Sequence, residues 1–216
     1  MNQTRFSRNL LAWWRENGRS YPWRKTKNAY RVFISEALLH RTWAEQTLPV
    51  YQALLKRYPT MASLADADER ELERILRPLG LFWRGKLLID AARQIEENKG
   101  GRVPDNLDEL RALPGVGNYI SAAVSCFAYD IPQVLLDTNT VRVLGRVFQE
   151  PVSDRSRRSK TFHRLGSRLL DRSHPRRFNY ALIDLAALVC RPKNPKCDSC
   201  PVQSDCMYGS SQRSSQ

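Results

Sequence analysis

Apolar side chains recur every three or four residues along nearly the whole chain, and no stretch alternates convincingly with a period of two. This spacing is typical of amphipathic helices, so the chain is predicted to be all-α. The first predicted helix carries an apolar stripe of Phe6, Leu10, Leu11 and Trp14, and Gly18 ends it. Further helices are predicted over residues 29–40, 44–57, 66–76, 81–98, 107–112, 118–129, 138–148, 160–170 and 177–189.

Polar segments separate these predicted helices. Asp66 is interpreted as the N-cap of the helix that runs to Leu76. The arginines of the polar loop 153–158 are expected either to be solvated or to face phosphates. The serine-rich segment 210–216 is predicted to be disordered, because it has too few apolar residues to pack.

The charge balance points to an acidic partner. The chain has 35 Lys and Arg against 22 Asp and Glu, a formal net charge of +13, together with five Trp and eight Tyr. This composition favours a nucleic acid, and a soluble protein that is merely basic is the alternative. No apolar run is long enough to span a membrane, and the N-terminal residues do not resemble a signal peptide. A cytoplasmic, nucleoid-associated protein with reduced thiols is therefore expected.

A glycine-containing turn lies between the helices predicted at 107–112 and 118–129. Its sequence is Leu-Pro-Gly-Val-Gly-Asn-Tyr over residues 113–119. Because they have no Cβ, Gly115 and Gly117 can adopt positive φ and allow close approach of another backbone. The N–H groups at the start of the following helix would then bind an anion such as a DNA phosphate. An ordinary connection between two helices is the alternative.

Four cysteines lie close together near the C-terminus. Cys190, Cys197, Cys200 and Cys206 have the spacing C-x6-C-x2-C-x5-C. Four thiolates within 17 residues can enclose either one zinc ion or a [4Fe–4S] cluster, and the spacing leaves both open. Cys126 belongs to an apolar run and is predicted to be a buried core residue.

Three features together resemble the helix-hairpin-helix DNA glycosylases of the endonuclease III superfamily. They are the glycine-containing turn, which forms a hairpin between two helices, an aspartate 18 residues after Tyr119, and the cysteine spacing. The resemblance extends from the Tyr-Pro-Trp-Arg segment at residue 21 to Cys206. It implies a [4Fe–4S] cluster on the four cysteines. It also implies two helical lobes with DNA bound in the cleft between them, one of residues 27–132 and one of residues 1–26 plus 133–209, with 210–216 as a tail.

The same resemblance assigns two catalytic carboxylates. Asp137, in Leu-Asp-Thr-Asn, matches the family's catalytic aspartate, which stabilises the cationic sugar as the base leaves. A plain helix N-cap is the alternative role of Asp137, and both roles are compatible. Glu36 matches a glutamate that contacts the flipped base, and a salt bridge at a helix end is its alternative.

DNA contacts are implied at two places. Gly115, Val116, Gly117 and Asn118 would hold a phosphate. His40 and Arg41 match the loop that enters the gap left by the flipped nucleotide, where Arg41 would bond the orphan guanine. A solvated surface arginine is the alternative for Arg41.

Tyr119 determines the expected reaction class. Bifunctional members of the family carry a lysine at this position, whose amine forms a Schiff base with the sugar, and a tyrosine cannot form that imine. A monofunctional enzyme that leaves an abasic site is therefore expected, with Tyr119 lining the base pocket. The alternatives to a monofunctional enzyme are an inactive protein that binds mismatches and a bifunctional lyase.

The favoured substrate is thymine or uracil opposite guanine in double-stranded DNA, and the protein is expected to be a monomer. In thymine glycosylases the loop that enters the gap, here called the wedge, is rich in arginine, as it is here at His40 and Arg41. Adenine glycosylases usually carry Gln-Gln at these two positions. They also have a C-terminal domain that reads 8-oxoguanine. An adenine glycosylase acting on A:G pairs is the alternative.

Overall fold

The computed structural model describes residues 3–40 and 42–213, and this part of the chain contains helices and no strand. The prediction of an all-α fold is confirmed. The α-helices are α1 (Gln3–Asn17), α2 (Ala29–Leu38), α3 (Ala44–Arg57), α4 (Met61–Ala65), α5 (Glu69–Leu76), α6 (Arg84–Lys99), α7 (Leu107–Ala112), α8 (Asn118–Tyr129), α9 (Thr138–Phe148), α10 (Lys160–Leu169), α11 (Pro175–Leu188) and α12 (Met207–Arg213). Short 3-10 turns lie at Pro22–Arg24, Arg77–Leu79, Ser156–Arg158 and Gln203–Asp205.

The chain divides into two compact units. One is contiguous, Ser20–Tyr129, and holds α2 to α8. The other combines the residues up to Arg19 with those from Asp130 onward, and it holds α1 and α9 to α12. The second unit is thus assembled from two segments that are more than 100 residues apart in the sequence.

In the contiguous unit, α4 packs on α6 and α2 packs on α8 around one apolar core. Tyr21 stacks on Trp23 with ring centroids 4.8 Å apart, and the Trp23 ring meets Tyr51 edge-on. The loop before α2 is therefore part of this core, which explains why the unit starts before the residue 27 expected from the sequence. Cys126 is fully buried, as predicted.

In the discontinuous unit, α1 packs on α11, and α9 packs on α10, α11 and α12. Phe6, Leu10, Leu144, Phe178 and Leu185 are buried at the centre. Asp184 on α11 is fully buried and accepts hydrogen bonds from Trp14 Nε1 at 2.8 Å and from the Arg19 main-chain N–H at 3.0 Å. These bonds fix the N-terminal segment to the C-terminal helices.

Two predictions about local structure were wrong. Asp66 is the C-cap of α4, a short helix that the sequence analysis missed, and Asp68 caps α5 by accepting a hydrogen bond from Glu71 N–H. Two acidic residues with cap character stand two positions apart, so the pattern alone selects the wrong one. Residues 210–213 belong to α12 rather than to a disordered tail. Packing of α12 on α9 stabilises this helix.

Candidate active site and iron–sulfur site

The hairpin between α7 and α8 is a tight turn with one obligatory glycine. Gly115 has φ +75°, and a Cβ at this position would lie 3.2 Å from Leu87 Cβ. Val116 N–H donates to the Leu113 carbonyl oxygen at 3.1 Å and closes the turn. Gly117, in contrast, does not have a positive φ, so only Gly115 uses the conformational freedom that both glycines offer. A Cβ at Gly117 would meet no atom within 4 Å, which leaves this exposed turn open to an external group.

The start of α8 can serve as an anion site. Gly117 and Asn118 are exposed, and Ser121 N–H donates to the Gly117 carbonyl oxygen at 3.0 Å as the first helical bond. The first N–H groups of an α-helix have no acceptor within the helix and carry the positive end of its dipole. The hairpin thus presents donors to solvent where the sequence analysis expects a phosphate.

Glu36 and Tyr119 lie on helices that pack together. Glu36 is in the last turns of α2 and is only 4% exposed, and Tyr119 is half-buried in the first turn of α8. Helices α2 and α8 are in contact, and Phe33, Ala37 and Ile120 line a small pocket together with Gly115. A carboxylate is seldom this deeply buried in a protein.

Thr42 connects the loop after α2 to both neighbouring helices. Thr42 Oγ1 donates to the Leu38 carbonyl oxygen at 2.5 Å and lies 3.0 Å from Thr47 Oγ1. His40 is half-buried, whereas Trp43 at the start of α3 is 72% exposed. Arg41 lies outside the described residues. The sequence gives no signal for Trp43 except its position beside the predicted wedge.

Asp137 is the N-cap of α9. Its Oδ1 accepts hydrogen bonds from Asn139 N–H at 2.9 Å and Thr140 N–H at 2.7 Å, while Asp137 N–H donates to Thr140 Oγ1 at 2.8 Å. This capping box fixes the carboxylate and orients it. Oδ2 has one longer contact, 3.3 Å from Asn139 Nδ2, and Asp137 remains partly exposed. One oxygen thus holds the helix end, and the other can face a substrate.

Arg142 links the region of Asp137 to the cysteine loop. Its Nη1 donates to Asn139 Oδ1 at 3.0 Å, and its Nε donates to the Cys190 carbonyl oxygen at 2.9 Å. Nη2 donates to the Ala186 carbonyl oxygen at 2.9 Å. Burial lowers the pKa of the Arg142 guanidinium below its usual value. Roles for Asn139 and Arg142 were not predictable from the sequence, because an Asn and an Arg three residues apart on a helix are common.

The four cysteines surround one pocket in the discontinuous unit. Cys190, Cys197, Cys200 and Cys206 line a space of about 290 Å³, part of it open to solvent, together with Arg146 and residues of α12. None of the five cysteines forms a disulfide. Burial, together with the neighbouring thiolates, raises the pKa of the Cys200 thiol to about 12. Four thiolates at one place repel each other unless a cationic centre compensates them.

The pocket fits a cluster better than a single ion. A zinc ion holds four sulfurs at about 2.3 Å, so the sulfurs must almost touch. Within the described residues, no three Cys, His, Asp or Glu side chains are close enough to share one metal ion. Arg146 Nη1 donates to Cys190 Sγ at 3.3 Å, and Gly209 N–H donates to Cys206 Sγ at 3.4 Å. N–H···S bonds of this kind accompany iron–sulfur ligation.

Comparison with known proteins decides the family. Residues 34–167 match the HhH-GPD superfamily base excision DNA repair proteins. The chain belongs to this superfamily. Residues 190–206 match the iron-sulfur binding domain of endonuclease III, so these cysteines form an iron–sulfur site. The resemblance stated from the sequence motifs is thereby confirmed.

Individual superfamily members extend the comparison. The thymine-DNA glycosylase of Aeropyrum pernix is 38% identical over 208 residues, which are 93% of this chain and 92% of that protein. The adenine DNA glycosylase of Rattus norvegicus is 37% identical over 94% of this chain, which spans 41% of that protein. The structure of a thermostable thymine-DNA glycosylase superposes with a TM-score of 0.89 at 31% identity, with 97% of each chain covered.

None of the helices described in the structure is long and apolar enough to cross a membrane.

Proposed function

We propose that this protein is a monofunctional DNA glycosylase that hydrolyses the N-glycosidic bond of thymine or uracil opposite guanine. The observation that carries the proposal is the partly exposed Asp137 carboxylate, which the N-terminus of α9 fixes in one orientation. The similar thymine and thymine/uracil glycosylases support the choice of base.

The proposed chemistry uses the two oxygens of Asp137 differently. Breaking the bond between base and sugar develops positive charge on the deoxyribose, and a fixed negative charge stabilises that transition state without reorganising. Because Oδ1 is held by two main-chain N–H groups, Oδ2 is the oxygen directed to the sugar. The carboxylate also orients the attacking water.

Glu36 and Tyr119 are the proposed contacts of the excised base. The base leaves the duplex before the chemical step, which costs least at a mismatch. A buried Glu36 is suited to hydrogen-bond the edge of the pyrimidine or to supply a proton to the leaving base. In this proposal Tyr119 contacts the excised base from the first turn of α8.

The DNA backbone is held by the hairpin in this proposal. The main chain of Gly115, Val116, Gly117 and Asn118 binds a phosphate at the start of α8. His40 and Arg41, in the loop before α3, fill the gap that the extruded base leaves. Trp43 is the exposed aromatic residue next to them and offers a stacking face to a base.

The absence of a lysine at residue 119 is the reason for proposing hydrolysis without strand cleavage. A phenol cannot form the Schiff base on which lyase chemistry depends. The expected product is an intact strand with an abasic site. Borohydride trapping tests this point, since a covalent enzyme–DNA adduct would identify a lyase.

The cofactor is proposed to be a [4Fe–4S] cluster held by Cys190, Cys197, Cys200 and Cys206. When bound, such a cluster cross-links the C-terminal loop through four Fe–S bonds. Iron and acid-labile sulfide should be present in equal amounts, four of each per chain. Zinc without sulfide would contradict the assignment.

The protein is also proposed to be a monomer. Light scattering should then give the molar mass of a single chain.

A panel of duplexes tests the substrate. Iron-loaded protein is incubated with T:G, U:G, A:G and A:8-oxoguanine duplexes, and alkali then reveals abasic sites. Release of T and U opposite G is expected, with A retained. Release of adenine would instead support the alternative of an adenine glycosylase, which the 37% identity to the rat enzyme keeps open. A protein that binds the mismatches but releases no base would be a binding module.

A further inference from the structure

Positive charge is concentrated in one short segment of the discontinuous unit. Between Arg155 and Arg177 there are nine Lys or Arg and one Asp. The net charge of this segment is +8, out of +13 for the whole chain. The segment lies outside the hairpin, the cysteine loop and the helix that begins after Asp137.

Five of these cations define a basic surface: Arg157, Arg158, Lys160, Arg164 and Arg168. All five side chains are exposed. The last three follow one another at intervals of four on α10, so they share one face of the helix. The other side of α10 is buried through Phe162, Leu165 and Leu169. No carboxylate in the described parts of the chain forms an ion pair with these five cations.

This arrangement of charge is unfavourable for α10 itself. Its first turn has no acidic residue and begins with Lys160, although the helix dipole favours anions there. The pairs Lys160–Arg164 and Arg164–Arg168 also place like charges four residues apart, which destabilises an isolated helix. Helix α5 has the opposite pattern, with Glu69 and Glu71 in its first turn. Stability of the helix therefore does not explain the basic surface.

The basic surface is separate from the surroundings of Asp137. Gly166 packs against Val134, in the segment that leads to Asp137, and no side chain larger than glycine fits there. Gly166 lies two residues from both Arg164 and Arg168, about 200° around the helix, so the arginines point away from that segment. Arg157 and Arg158 come after the C-terminal end of α9, whereas Asp137 caps the N-terminal end of that helix, which is about 16 Å long.

We propose that the basic surface binds a further stretch of duplex DNA backbone, beyond the strand that is held beside Asp137. Arginine and lysine side chains spaced along a surface pair with successive phosphates and release their counterions. Such contacts add affinity for undamaged DNA and take no part in the chemical step. The inference rests on the proposed function only in taking DNA as the polyanion.

A pair of triple variants tests the inference with equal loss of charge. The first carries Arg157→Gln, Lys160→Gln and Arg164→Gln. The control carries Lys56→Gln, Arg70→Gln and Arg74→Gln, which are equally exposed cations of α3 and α5 in an environment with several glutamates. The dissociation constant for a long undamaged duplex is measured from about 50 to 200 mM salt, and thermal melts verify folding.

The basic-surface variant should bind at least about tenfold more weakly than wild type, and its salt slope should fall by about 2–3. The control should change little. A third triple variant, Arg157→Glu, Lys160→Glu and Arg164→Glu, reverses the three charges and should weaken DNA binding further. Its single-turnover rate of base release at saturating enzyme should stay unchanged. Equal losses in both Gln triples, or unaltered slopes, would overturn the proposal. Because this assay uses undamaged DNA, it fails or succeeds independently of base excision.

Discussion

Arg142 joins the first cysteine of the iron–sulfur site to the cap of α9. Its Nε donates to the Cys190 carbonyl oxygen at 2.9 Å, and its Nη1 donates to Asn139 Oδ1 at 3.0 Å. Asn139 in turn contacts the Asp137 carboxylate. The orientation of the proposed catalytic group is thus connected by side-chain hydrogen bonds to the cysteine loop.

Changing Arg142→Lys should slow base release about tenfold per iron-loaded molecule, because lysine keeps the charge but cannot make three directed bonds. Single-turnover rates normalised to iron content measure this effect. Arg146→Lys is the matched control, since Arg146 bonds the cysteine loop but not Asn139. Equal slowing in both variants would show that the path through Asn139 has no special role.

Changing Asp137→Asn should reduce base release by about 10²–10³-fold, because the fixed negative charge beside the sugar is lost. Asparagine is as good an N-cap as aspartate, so the melting temperature should stay close to that of wild type. Gel-shift binding of a mismatched duplex should also be retained. Full activity in Asp137→Asn would remove this residue from catalysis.

Changing Tyr119→Lys should introduce a covalent adduct with DNA that borohydride traps, because an amine at the start of α8 can attack the sugar. Tyr119→Phe is the control, and it should give no adduct. If Tyr119→Lys retained base release but formed no adduct, residue 119 would not face the sugar.

The fold was largely predictable from the sequence, and the parts that were missed have physical causes. Helices α3, α7, α8 and α9 begin and end where the apolar spacing predicts, because glycine, proline and a capping residue mark their limits. Helix α12 was missed because its stability comes from packing against α9, which no local pattern reveals. The bonds of Arg142 were missed for the same reason, since their acceptors Ala186 and Cys190 lie more than 40 residues away.

The site was predictable to the extent that a motif carried it. The capping role of Asp137 and the positive φ of Gly115 followed from residue type and position. Whether Gly117 would use a positive φ did not follow from residue type, because a glycine can also adopt the φ of other residues. The catalytic and DNA-binding roles of the predicted residues remain predictions.

Changing Trp43→Ala should weaken binding of a mismatched duplex about tenfold, because a stacked base contributes about 1–3 kcal/mol. The side chain is 72% exposed and contributes little to the core, so stability should be unchanged. Trp43→Phe should restore most of the affinity, since it keeps an aromatic face. A Trp43→Ala variant that bound like wild type would exclude a stacking role.

Changing Asp184→Ala should destabilise the discontinuous unit by about 2–3 kcal/mol, because it leaves the half-buried Trp14 indole N–H and the Arg19 main-chain N–H without this acceptor. Thermal unfolding should show a decrease of several degrees in the melting temperature. Asp90→Ala is the control, since Asp90 pairs with the exposed Lys86 and its removal should lower the melting temperature much less.

The division of the molecule has a consequence for its biosynthesis. Helix α1 leaves the ribosome first, but its partner α11 is translated only after the whole of Ser20–Tyr129 has emerged. The contiguous unit can fold during translation, as domains generally do, whereas α1 has to wait with its apolar stripe uncovered. Helix α1 can therefore be buried only once α11, which ends at Leu188, has left the ribosome.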